Sequence, residues 1–329
     1  MPQTWLRLLL FFTLLLLGGC CAATTDPEPA PSPSPSTSSQ QRTVHQQVPN
    51  RLVAIGDIHG DLKAAVKALR IARAIDAQGR WVGGDLVVVQ TGDLLDRGDD
   101  EQAILDLLKA LQPQAHDAGG ALIVLHGNHE IMNVMGDLRY VTPGGFEDFK
   151  DAQGIDANDP ALANIPEHAR ARMAAFAPGG PYARTIADHK VIAVVGDTVF
   201  VHGGVLPDHV RYGIDTLNAE TSAWMRRERS SLPALMRSSS SPVWSRHYSS
   251  EPVDASDCAL LHTTLNMLGA ARMVVGHTVQ RQGITSACEG KVWRIDTGMS
   301  AHYGGQPQVL EISSKGDVRI LTADIVNPP

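Results

Sequence analysis

The sequence predicts an α/β fold in which strands and helices alternate, and three observations carry that expectation. Short runs rich in Val, Ile and Leu stop abruptly at glycine. Segments with helical hydrophobic spacing separate the early runs. Later in the chain, paired apolar runs straddle a glycine-containing turn, the signal of antiparallel hairpins.

Arg51 to Ile55 is the first apolar run and ends at Gly56 and Asp57; Leu62, Val66 and Leu69 then recur at helical spacing. Leu86 to Val89 is a second buried strand, ending near Gly92 and Asp93, and a helix from about Asp99 to Leu111 follows, with Ile104, Leu107, Leu108 and Leu111 on its apolar face. Ala121 to Leu125 is a third strand, ending at Gly127 and Asn128. Val191 to Val195 and Thr198 to Val201 flank Gly196 and Asp197 as a two-residue hairpin. Val274 and Val275 precede Gly276 and His277, and Ile284 to Ala287 pairs with Val292 to Ile295 around Gly290. Two long polar insertions, near 136–188 and 206–248, interrupt this pattern; the first should hold a helix from Pro166 to Ala177.

The chain has 329 residues, 43% of them hydrophobic and 19% charged, which describes a globular protein rather than a disordered one. A net charge of -7 argues against a nucleic-acid partner held by bulk charge, though not against a local basic pocket. Residues 1–20 read as a lipoprotein signal peptide. Arg7 precedes the apolar stretch Leu8 to Leu17, which is too short to span a bilayer as a conventional helix. Leu17, Gly18, Gly19 and Cys20 resemble a bacterial lipobox, whose cysteine is lipidated; an ordinary cleaved signal peptide is the alternative. Residues 21–50, with Pro27, Pro29, Pro31, Pro33 and Pro35 among Ser, Thr and Gln, form a disordered tether. The expectation is an exported bacterial lipoprotein, anchored to a membrane through Cys20 on the periplasmic side or cell surface, with residues 51–329 as its folded domain.

Five strand ends carry a polar cluster with glycine beside it: GDIHG at 56–60, GDLLDRG at 92–98, GNHE at 127–130, HGG at 202–204 and GHT at 276–278. Ligands of α/β sheets sit beyond the carboxyl ends of strands, and glycine lets backbone approach them closely. One such cluster alone is usually a turn; five in this order converge on one place. Asp57, His59, Asp93, Asn128, His202 and His277 make a mixed oxygen and imidazole set that suits manganese, iron, zinc or nickel rather than calcium. Six ligands exceed the need of one catalytic ion and fit two ions sharing a carboxylate, the arrangement that clamps both oxygens of an in-line phosphoryl displacement.

This series of motifs resembles the metallophosphoesterases, in particular the phosphoprotein phosphatase branch with its GDxHG, GDxxDRG and GNHE signatures. VQTGDLLDRGDDE is most similar to the Shewanella-like protein phosphatases. The resemblance covers about Arg51 to Gly305 and implies a central mixed β-sandwich flanked by helices, with the metal site at the strand ends. It implies a phosphomonoester hydrolase in which Asp57 and His59 hold one metal, Asp93 bridges, and Asn128, His202 and His277 hold the other. A hydroxide activated by both metals would attack phosphorus. His129 would protonate the leaving oxygen with Asp96 orienting its ring, and Arg97, Arg246 and Asn128 would bind the phosphate. The alternative for His129 is a surface histidine beside a ligand, and for Arg246 a solvated loop arginine. His126, at a strand end, is a candidate to stand behind the ligands. Where the animal enzymes carry SAPNYC, residues 296–305 read DTGMSAHYGG, so substrate preference does not transfer.

Two divalent ions are therefore the expected cofactors, manganese first and iron or zinc as alternatives. The expected substrate is a phosphorylated protein or peptide. A nucleotide, diadenosine-polyphosphate or small-molecule phosphatase on the same site is the first rival, and an inactive metal-binding surface lipoprotein the second, which the complete ligand set disfavours. Cys258 and Cys288 are the cysteines left after Cys20 and Cys21, and export favours a disulfide between them. Their pairing stays open, because Cys258 starts a helix near the metal end of the sheet while the direction of the strand ending at Cys288 is not fixed.

Overall fold

A computed structural model describes residues 49–323. The signal peptide, Cys20 and nearly all of the tether lie outside the described residues. The folded chain opens on β1 (Arg51–Ile55), α1 (Leu62–Ile71), β2 (Val87–Gln90), α2 (Glu101–Asp117) and β3 (Ala121–Val124). These strands pair in parallel, with Val53 opposite Val88 and Val88 opposite Leu122. Then come α3 (Asn128–Met135), α4 (Pro143–Asp148), α5 (Glu167–Phe176) and α6 (Pro181–Ile186). The hairpin of β4 (Ile192–Val195) and β5 (Thr198–Val201) precedes α7 (Pro207–Tyr212), α8 (Ile214–Met225) and α9 (Ala255–Leu268). The chain finishes with β6 (Arg272–Val275), β7 (Thr285–Ala287), β8 (Val292–Arg294), β9 (Val309–Ser313) and β10 (Val318–Leu321).

Two mixed five-stranded sheets result, in the orders β10-β9-β1-β2-β3 and β4-β5-β6-β8-β7. Their facing sides share one apolar core: Leu52, Ala54, Val87 and Val89 from the first sheet meet Val195, Phe200, Val274 and Ile295 from the second. The intervening residues Val53, Ile55, Val88, Val199, Val201 and Val275 join a larger core built with the helices. β1, β2, β5 and β6 are thus buried on both faces, which is why these runs are continuously apolar rather than alternating. The expected sandwich between helices is present, and β1, β2, β3, β5 and β6 all deliver their carboxyl ends to the polar clusters.

Several elements depart from the sequence expectation. α2 continues past Leu111 to Asp117 in spite of Pro113, with Ala115 fully buried against the core. The β9–β10 hairpin lies beyond the last segment assigned from sequence and extends the first sheet by pairing antiparallel to β1. The insertions are not merely polar walls: Phe149 and Phe176 of the first and Leu217 and Met225 of the second are fully buried. Cys258 and Cys288 are joined by a disulfide, with Cα atoms 5.3 Å apart. β7 does run antiparallel to β8, and so away from the metal end, but its three residues span only roughly 10 Å, within reach of the first turn of α9.

Candidate metal centre

The structure brings the six expected ligands into one buried cluster. Asp57 and His59 follow β1, Asp93 follows β2, Asn128 begins α3, and His202 and His277 follow β5 and β6. His202 Nε2 lies 3.2 Å from Asp93 Oδ2, 3.0 Å from Asn128 Oδ1 and 3.1 Å from His277 Nδ1. His59 Nε2 is 3.6 Å from Asp93 Oδ2. The other ring nitrogens fix tautomers: His202 Nδ1 donates to Thr91 O (2.9 Å) and His59 Nδ1 to Leu95 O (3.2 Å), so each Nε2 lone pair faces the centre. Two triads of donor atoms lie within 4.8 Å of one another, His59–Asp93–His129 and Asp93–His202–His277. Asp93 belongs to both, as a bridge between two ions would.

The backbone around this cluster is tightly constrained. His59, Asp93, Asp96, Arg97 and His277 all have positive φ, between 49° and 73°. Each such residue costs about 1–3 kcal/mol and persists only where its surroundings hold it. Much of that hold comes from Glu130, fully buried on α3, whose carboxylate accepts N–H groups from Asp93 (2.9 Å), Leu94 (2.8 Å), Leu95 (3.1 Å) and Gly127 (2.6 Å). Glycine is required where backbone meets ligand: a Cβ on Gly127 would lie 2.0 Å from Asp93 Oδ1, and one on Gly276 would lie 2.3 Å from Asp57 Oδ1.

The electrostatics ask for cations. Burial, with the Asp296 and Asp93 carboxylates, pushes Asp57 well above the usual carboxylate range. Burial likewise raises Asp296 to about 6, and it holds His59 down to about 4. His277 is held down to about 2 by burial, His202 and Arg246. Asp93 goes the other way: burial opposes its charge, but His202 and His129 outweigh that and keep it well below its ordinary value. Asp57 Oδ1 and His277 Nε2 are buried with no hydrogen-bond partner. Two orphaned donor atoms among crowded carboxylates and neutral imidazoles fit divalent ions.

His129 stands at the edge of the cluster. Its Nδ1 is 2.6 Å from Asp96 Oδ2 and its Nε2 is 3.8 Å from Asp93 Oδ2. It is buried, not a surface histidine. Arg97 lies over the Tyr140 ring at 4.1 Å, and its buried Nε has no partner. Arg246 reaches the rim, where it donates to Thr278 Oγ1 (2.6 Å) and His277 O (3.3 Å). His126 hydrogen-bonds none of the ligands; its buried ring faces His189 at 5.6 Å between centroids. Sequence reasoning missed Asp296, which is buried beside Asp57. The signal was available, since Asp296 and Gly298 follow β8 as a sixth strand-end cluster.

The fold and this cluster define a metallophosphoesterase, an enzyme that hydrolyses phosphoric esters with two divalent metals. Residues 50–281 match the calcineurin-like phosphoesterase family, and the chain belongs to it. It is 42% identical to Shewanella-like protein phosphatase 2 of Arabidopsis thaliana over 306 residues, 84% of this chain and 78% of the relative. Shewanella-like protein phosphatase 1 of Plasmodium berghei is 30% identical, over 78% of this chain and 69% of its own. Among solved structures, a cold-active protein-tyrosine phosphatase of a psychrophilic Shewanella species superposes with a TM-score of 0.64 at 25% identity, covering 86% of this chain and 83% of that one.

Proposed function

We propose that this phosphatase removes phosphoryl groups from protein or peptide side chains, and that His129 donates the proton the leaving oxygen needs. The observation that carries this is the His129–Asp96 pair set against Asp93, the carboxylate common to both triads. Burial opposes the imidazolium, but in the metal-free protein Asp93 and Asp96 outweigh it and raise His129 to about 9, which supports a proton on Nε2. Two divalent ions, taken here to be manganese, would supply an activated water and neutralise the phosphoryl oxygens.

The chain's own groups do the rest. Asp57, His59 and Asp93 would hold one ion; Asp93, Asn128, His202 and His277 would hold the other. Arg97, whose Nε has no partner, Arg246 at the rim and Asn128 would bind the phosphoryl oxygens. A cavity of about 570 Å³ opens beside His59 and Arg97, lined by Lys63, Thr142 and His302 among others, with space for residues flanking a phosphorylated side chain. The plant relative and the Shewanella structure are both protein phosphatases by name, which supports a protein or peptide substrate. Export as a lipoprotein anchored through Cys20 fits the Cys258–Cys288 disulfide, since such bridges persist in oxidising compartments.

The test is a kinetic comparison of phosphotyrosine, phosphoserine and phosphothreonine peptides with nucleotides and diadenosine polyphosphates, using manganese-loaded protein. Phosphopeptides should give the larger kcat/KM. Faster turnover of nucleotides would move the substrate assignment to small molecules.

A further inference from the structure

Arg172, on α5 of the first insertion, is fully buried, and every N–H of its guanidinium is engaged. Nε donates to Asn133 Oδ1 (2.8 Å). Nη1 donates to Glu101 Oε2 and to Gly145 O (2.9 Å). Nη2 donates to Glu101 Oε1 (2.8 Å) and Asp96 Oδ1 (3.2 Å). The rings of Phe149 and Phe176 lie 4.9 and 5.2 Å from its central carbon. Five donors in one rigid plane leave the acceptors little freedom.

Two of these partners, Glu101 and Asn133, also bond Asp96. Its Oδ1 takes Arg172 and Asn133 Nδ2 (3.0 Å), which leaves Oδ2 for His129 Nδ1. Glu101, gripped by the same guanidinium, accepts the Asp96 backbone N–H, and Asn133 also donates to His129 O (2.9 Å). We infer that Arg172 is a positioning residue for leaving-group protonation: it fixes the Asp96 carboxylate so that His129 Nε2 points at the ester oxygen. The insertion helix α5 is then part of the acid machinery and not only a wall beside it.

The inference rests on His129 being the general acid, and the test separates the two. The full chain is compared with Arg172→Lys, Arg172→Met, His129→Asn and the Arg172→Lys/His129→Asn double variant. Substrates are 4-nitrophenyl phosphate, whose leaving group needs little protonation, and phenyl phosphate, whose leaving group needs more. Arg172→Lys, which keeps the charge and loses the planar fork, should slow kcat roughly tenfold more on phenyl phosphate than on the nitrophenyl ester, a fraction of what a general acid supplies. KM and metal content should not change. In the His129→Asn background the same substitution should add no further ester-selective loss. Equal losses on both esters would mean that Arg172 serves stability alone, and selective losses that multiply would mean that it acts independently of His129; either result would overturn the inference. Should Arg172→Met fail to fold, Arg172→Lys carries the comparison. If His129→Asn itself shows no ester selectivity, the general-acid assignment fails first; if it does and Arg172→Lys does not, only the positioning role fails.

Discussion

Glu130→Gln is the substitution that best separates a carboxylate from a side chain of nearly the same shape. The Glu130 oxygens face four backbone N–H groups, of Asp93, Leu94, Leu95 and Gly127, at 2.6–3.1 Å. Burial and the Asp93 carboxylate raise Glu130 to about 7, yet only donors face its oxygens in these bonds, and such a donor set fits the ionised form. A glutamine keeps one acceptor oxygen and turns an NH2 group toward the other two N–H groups. Two charge-assisted bonds are lost, at about 1.5–3 kcal/mol each, for a total of about 3–6 kcal/mol before relaxation. For a domain of this size that corresponds to a fall in Tm of roughly 5–10 °C.

The assay is thermal unfolding of the metal-free protein, so that ion binding does not mask the difference, followed by metal titration. Because Glu130 holds Asp93 at a φ of 53°, metal affinity should fall together with stability. A Glu130→Gln protein with unchanged Tm would mean that the carboxyl is protonated in the native state and already donates. Glu130 would then not be the group that holds Asp93 in place.

Removing the Cys258–Cys288 bridge by Cys258→Ser should lower stability by about 3–4 kcal/mol, from closure of a loop of 30 residues, read as a lower denaturation midpoint; an unchanged midpoint would show that the bridge is absent or strained. Burial raises Asp57 well above its ordinary range and its neighbour Asp296 to about 6 in the metal-free protein, so a cation must displace a proton at Asp57, and metal affinity should fall as pH drops. Calorimetric titration at about pH 5.5 and 7.5 checks this, with proton release larger at the lower pH; equal affinities would contradict it. Cys20→Ala should shift the protein from the membrane to the soluble fraction on cell fractionation, and full membrane retention would refute the lipid anchor.

The central strands and the clustering of the six candidate ligands were legible in the sequence for one physical reason. Strands buried on both faces read as unbroken apolar runs, and each run ends where a buried polar group must be justified by a ligand. Asp57, Asp93, Asn128, His202 and His277 all stand within four residues of such an end. What could not be read depends on partners far away in the chain. Arg172 sits in EHARARMAAF, which has the composition of a solvated helix, and the carboxylates that neutralise its buried charge, Asp96 and Glu101, lie 76 and 71 residues earlier. The reach of Cys258 to Cys288 likewise depended on how short β7 is, a length that sequence pattern does not set.

Left-handed backbone links the site to the fold more closely than the ligand list does. Among the described residues nine non-glycine positions have positive φ, and five of them are His59, Asp93, Asp96, Arg97 and His277. Such conformations do not persist for local reasons, so each must be held by contacts formed elsewhere. For Asp93 the holder is Glu130, and for Asp96 it is Glu101 together with Arg172. For His277 it is Asp57, which accepts its backbone N–H at 3.0 Å. In that last pair the support is reciprocal, because the oxygen of Asp57 that does not bind His277 is the orphaned one. A cation drawn to Asp57 Oδ1 would therefore tighten the loop that presents His277, and the same carboxylate would serve ligand and backbone at once. Substituting Asp57 should then disturb both ends of the centre, whereas substituting His59, whose Nδ1 contact is to a single carbonyl, should disturb one.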